Sequence, residues 1–111
     1  MKLENNAVSS QSDEDVETIF CNAGFHVEFS SNFKFGMTND PEERLSWYED
    51  NHSDLFEKMV LLYKTHDRED AADLEKALIE SYVNDTRMKN EIAGGGGGKG
   101  SAPYFVYVIF N

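Results

Sequence analysis

Cysteine is nearly missing from this chain: Cys21 is the only one, so no intrachain disulfide can form and a reducing compartment is expected. Long apolar runs are missing too. The longest, Tyr104 to Phe110, falls far short of the ~20 residues a membrane-spanning helix needs. Met1-Lys2-Leu3-Glu4-Asn5-Asn6 has no apolar signal-peptide core behind its lysine. The expectation is a soluble protein, cytoplasmic or nuclear, with no membrane partner. Positive charge is scarce as well. Ten Lys and Arg stand against 21 Asp and Glu, a net charge of −11, which repels a polyanion at long range. A nucleic-acid enzyme with this balance needs a local basic patch, a bound cation or a basic protein partner.

What is present fits one domain. At 111 residues, folding buries roughly two-thirds of the extended chain's surface, enough for one core, and eight Phe, five Tyr and one Trp supply its bulk. Residues 1 to 12 are polar and read as a flexible N-terminal tail, leaving 13–111 as the folded unit. Ser12 or Asp13 can cap a helix with Val16, Ile19 and Phe20 on its apolar face, ending near Gly24. From Phe25 the period changes to two: Phe25, Val27 and Phe29, then Phe33, Phe35 and Met37 after a polar turn, predicting a β-hairpin.

Asp40-Pro41-Glu42-Glu43 is a helix start, with Asp40 as cap, Pro41 at the first position and Glu43 completing a capping box. Leu45, Trp47 and Tyr48 give that helix its apolar side. Lys58 to Thr65 reads as a buried strand, and Asp67 opens a helix through Val83 with Ala71, Leu74, Ala77, Leu78, Ile79 and Tyr82 inward. The glycine run Gly94 to Gly98 breaks regular structure; residues 94–100 are read either as a flexible tether or as a backbone loop beside a site. Tyr104 to Phe110 reads as a final strand that must pair within a sheet, because so apolar an edge would aggregate. The predicted order is helix, two strands, helix, strand, helix, strand. That is an α/β (α+β) fold with a small mixed or antiparallel sheet of three to four strands flanked by helices.

The stretch Lys34-Phe35-Gly36-Met37-Thr38-Asn39-Asp40-Pro41-Glu42-Glu43-Arg44-Leu45 resembles the second half of the GIY-YIG nuclease signature. In that signature strand, glycine, small polar turn and arginine-bearing helix follow at this spacing. Lys34 stands where many members have tyrosine, as in the family's "KIG"-like form. Arg44 falls at the position of the family arginine. Ala72 to Ile79 is similar to the family's later helix, whose metal-binding glutamate matches Glu75, and Asn90, fifteen residues on, sits where the family has an asparagine. The resemblance covers roughly residues 33 to 93. The first half of the signature departs from the pattern: Gly24-Phe25-His26 offers His26 for the first tyrosine, slightly too close. Tyr104-Phe105-Val106-Tyr107-Val108-Ile109 looks more like the opening strand. The chain then resembles a circularly permuted member with Tyr107 brought beside Lys34; the alternative is an ordinary fourth strand with Tyr107 in the core.

The resemblance implies divalent-metal-dependent phosphodiester hydrolysis on nucleic acid, DNA before RNA. Arg44 would hold phosphate oxygens through paired donors, and Glu75 would bind Mg²⁺ (or Mn²⁺), which accepts a single carboxylate. Lys34 would hold the phosphate or activate water; otherwise it guards a sheet edge. Tyr107 would act as general base or orient water, Asn90 would shape the site, and His52 is the candidate proton shuttle among the histidines. The competing expectation is a catalytically inactive interaction module on the same fold, binding through its acidic surface. One cysteine and three scattered histidines give no zinc spacing. No Ser or Thr follows Lys99 and a strand comes next, so the glycine run is not a phosphate loop.

Overall fold

The computed structural model of the protein describes residues 1–9, 12–90 and 100–111. Among these, β1 (Lys2–Val8), α1 (Asp13–Val27), β2 (Phe33–Thr38), α2 (Pro41–His52), β3 (Lys58–Thr65), α3 (Arg68–Ser81) and β4 (Tyr104–Phe110) build a mixed four-stranded sheet with three helices, an α+β fold. The strand order is β1-β3-β4-β2. β1 runs parallel to β3, whereas β4 is antiparallel to both β3 and β2. The last strand in sequence thus lies inside the sheet. Its continuous apolar run fits a strand buried on both faces.

Alternation along the strands makes two cores. Phe33, Phe35, Met37, Val106 and Val108 face Ile19, Ala23 and Val27 of α1 and Ala71, Leu74 and Leu78 of α3. Tyr107, Ile109, Met59 and Leu61 face Leu45 and Tyr48 of α2, with Phe56. Each helix begins on a side-chain cap: Ser12 accepts from the Asp15 amide, Asp40 from Glu43 and Asp67 from Glu69. Pro41 occupies the first turn of α2, as its fixed φ and missing N–H favour.

Three expectations are corrected. Residues 2–8, read as a tail, form the edge strand β1, recruited by backbone pairing with β3 and by an ion pair of 2.9 Å from Lys58 to Glu4. The predicted hairpin has only its second strand. Phe25 and Val27 lie in α1, which continues past Gly24, and Phe29 follows its end. The capping box predicted between Asp40 and Glu43 forms on one side: Asp40 Oδ1 accepts from the Glu43 amide at 3.1 Å, while the Asp40 amide donates to Thr38 Oγ1 at 3.0 Å. The run Gly94 to Gly98 lies outside the described residues.

The outer edge of β2 is occupied. Phe33 N donates to Arg87 O at 3.1 Å and Lys89 N to Phe33 O at 2.8 Å. Arg87 is itself fixed by Asp85 and by the carbonyls of Val27, Glu28 and Ser30.

Candidate functional site

Lys34 and Gly36 alternate with the phenylalanines of β2 and therefore face α2. The register sets Gly36 opposite Tyr107. A Cβ at Gly36 would collide with the Tyr107 ring, so the glycine lets that ring lie across the strand. The Tyr107 hydroxyl lies 2.8 Å from that of Tyr48 in α2, and Lys34 Nζ donates to the Tyr48 hydroxyl at 3.0 Å. Arg44, one turn before Tyr48, lies near enough to the Tyr107 hydroxyl for its guanidinium to act on that phenol. From α3, Glu75 stands close enough to Lys34 and Arg44 for their charges to act on it. Four sequence-predicted residues thus meet: Lys34, Arg44, Glu75 and Tyr107.

Lys34 is 5% exposed and Tyr107 fully buried, whereas Arg44 and Glu75 are partly open to solvent. Burial of Lys34 excludes the edge-guarding reading, although β2 is an edge strand. Its cost shows in the ammonium: burial lowers the pKa to about 8, with Glu75 opposing the shift and Arg44 adding to it. Burial raises the Glu75 carboxyl, countered by Lys34, Arg44 and Arg68. Burial raises the Tyr48 phenol far above its ordinary value, with Tyr107 adding to the rise. It also raises Tyr107, and there the hydrogen bond to Tyr48 and the Arg44 guanidinium pull back. Among the described residues no buried side-chain N or O lacks a partner, so the cluster is a satisfied network.

Two candidates stand apart. The Asn90 amide grips the backbone of Phe35, Oδ1 accepting from its N–H at 3.1 Å and Nδ2 donating to its carbonyl at 2.7 Å. It completes the cover on the β2 edge and is not joined to the hydroxyl network. His52 closes α2, two turns and ~12 Å along the axis from Arg44. Its ring packs on Trp47, Tyr48 and Phe56 at centroid distances of 5.3, 6.2 and 6.5 Å. His26, the other candidate for the first tyrosine, lies on α1 beside Glu4, with burial lowering its pKa.

Tyr48 is the member that sequence reasoning missed. The sequence pattern puts it on the apolar side of α2, yet its spacing of four from Arg44 carries the signal that both share one helix face.

Among the described residues no three His, Cys, Asp or Glu side chains group together. Among the described residues of the cluster, Glu75 supplies the carboxylate, which suits Mg²⁺ held through one carboxylate, substrate phosphate and water. Among the described residues, no helix is long and apolar enough to cross a membrane. Compared with protein-family models, with curated proteins and with solved structures, the chain matches none.

Proposed function

We propose that this chain is a divalent-metal-dependent endonuclease of GIY-YIG type, hydrolysing phosphodiester bonds in nucleic acid, DNA before RNA. One observation carries the reading: Lys34, Arg44, Glu75 and Tyr107 come from four elements and meet around the Tyr48–Tyr107 hydroxyl pair. Pairing of β4 with β2, which sets Tyr107 against Gly36, is the juxtaposition that the permuted arrangement requires.

In this reading Arg44 binds two oxygens of the scissile phosphate and balances the charge that grows there in the transition state. Glu75 would hold Mg²⁺ or Mn²⁺, which when bound adds Lewis-acid stabilisation of that same charge. Tyr107 orients the attacking water through its hydroxyl and can pass a proton to Tyr48. Lys34, partly neutral near pH 8, terminates the hydrogen-bonded chain with a lone pair that can take the proton. The cations also answer part of the charge problem, since they stand together in a chain of net charge −11.

Burial of Lys34 and Tyr107 favours a second reading, in which the network is a sealed structural element of an inactive interaction module. Incubation of the protein with plasmid DNA and with single-stranded RNA in Mg²⁺ or Mn²⁺ separates the two. Strand cleavage supports the nuclease. A folded protein that cuts neither with either metal supports the module.

A further inference from the structure

The outer face of α1 carries a stripe with an unusual pairing of features. Glu14, Glu17, Thr18, Cys21, Phe25, Glu28 and Phe29 recur at helical spacing and are all exposed. Phe25 is 74% and Phe29 91% open to solvent. Two large aromatic side chains held in water on one turn are the kind of apolar exposure that marks a contact surface. The helix is firmly seated from behind by Ile19, Ala23 and Val27, and its end is held by Arg87 at the Val27, Glu28 and Ser30 carbonyls. The aromatics are therefore displayed on a fixed support.

Charge decides what can cover them. Glu14, Glu17 and Glu28 are exposed on this face, no Lys or Arg occurs between Lys2 and Lys34 in the sequence, and the one described cation at the helix end, Arg87, is paired with Asp85. Such a surface repels nucleic acid and anionic membranes. It also repels a second copy of a chain with net charge −11. We propose that this face of α1 docks a cationic amphipathic segment of a partner protein, its apolar side on Phe25 and Phe29 and its basic side along Glu14, Glu17 and Glu28. Because α1 lies on the sheet face opposite Lys34 and Tyr107, docking leaves the hydroxyl network uncovered. The proposal stands independently of the nuclease reading.

The test uses the full chain and a fluorescein-labelled helical peptide of about 18 residues, Leu on one side and Lys on the other. A scrambled peptide of the same composition serves as control. Fluorescence anisotropy should show saturable binding of the helical peptide, weakened about tenfold or more in Phe25→Ser/Phe29→Ser. Glu14→Gln/Glu17→Gln should weaken it less and flatten its salt dependence. Amide-resolved NMR of the wild type supplies a readout that needs no variant, with shifts expected over Cys21 to Phe29. Equal binding of the scrambled peptide, full affinity in the Phe variant, or shifts located elsewhere would each overturn the proposal. So would self-association of the free chain, seen in sedimentation and abolished in the Phe variant, since the occupant would then be a second copy.

Discussion

The hydroxyls of Tyr48 and Tyr107 lie 2.8 Å apart, tying the second helix to an interior strand through 59 positions of sequence. Both are buried, and Tyr48 also receives the Lys34 ammonium, so removing one oxygen strands two partners. Tyr48→Phe should lower stability by roughly 1–3 kcal/mol in urea unfolding, since a buried donor left unmatched costs more than a typical bond contributes. Cleavage should fall with it. A double-mutant cycle with Tyr107→Phe should show coupling between the two sites, because the second substitution removes a partner already lost.

Gly36 tests the same pair from the strand side. Its missing side chain leaves the space filled by the Tyr107 ring. Gly36→Ala must push that ring off the strand and so disturb both the Tyr48 and Arg44 contacts. A loss of about 1–3 kcal/mol is expected from overpacking, with a larger proportional loss of cleavage than of stability.

Lys34 gives a pH dependence whose sign is fixed by its environment. Its pKa falls from 10.5 in the unfolded chain to about 8 in the fold, so the unfolded state binds more protons between those values. The fold therefore favours the neutral amine, and that contribution is present above pH 10.5 and lost as pH falls through 8. At pH 7 the buried ammonium costs roughly 3 kcal/mol relative to a group without charge. Lys34→Met should thus be more stable than the wild type at pH 7, by an amount that shrinks as pH rises toward 10. Equilibrium unfolding of both proteins across this range checks it.

Much of this was open to sequence reasoning. β3 and β4 were legible because each is a continuous apolar run, and α2 and α3 because Asp40-Pro41 and Asp67 are strong starts. Two elements were not. Lys2–Val8 contains Asn5 and Asn6, residues depleted in strands, and it becomes a strand only through parallel pairing with β3, a long-range contact that local preference does not encode. Phe25, Val27 and Phe29 alternate as a strand would, yet only Val27 points inward; the exposed aromatics mimic a period of two on a helix end. Lys34, Arg44, Glu75 and Tyr107 are singled out in the sequence by the resemblance, and the fold brings them side by side. Tyr48 was hidden because a tyrosine beside Trp47 on an amphipathic helix reads as packing alone, and His52 shows the converse, a polar ring used for aromatic contact.

Glu75 sets stability against activity. Burial raises its pKa, so the fold favours the neutral acid; that contribution is full below 4.5 and lost as pH rises through the folded value. Glu75→Gln should therefore unfold at higher urea than the wild type at pH 7, with the advantage gone near pH 4. Mg²⁺ should raise the melting temperature of the wild type and leave that of Glu75→Gln unchanged, as expected for a ligand bound only by the native wild-type site.

The central claim meets its most direct test in Mg²⁺-dependent cleavage of plasmid DNA by the wild type, Arg44→Ala and Glu75→Gln, each checked for folding by circular dichroism. The account predicts nicking or linearisation by the wild type and loss of about a hundredfold or more in both variants, the size typical of removing a group that stabilises transition-state charge. Cleavage that survives both substitutions, or no cleavage by a folded wild type, would contradict it.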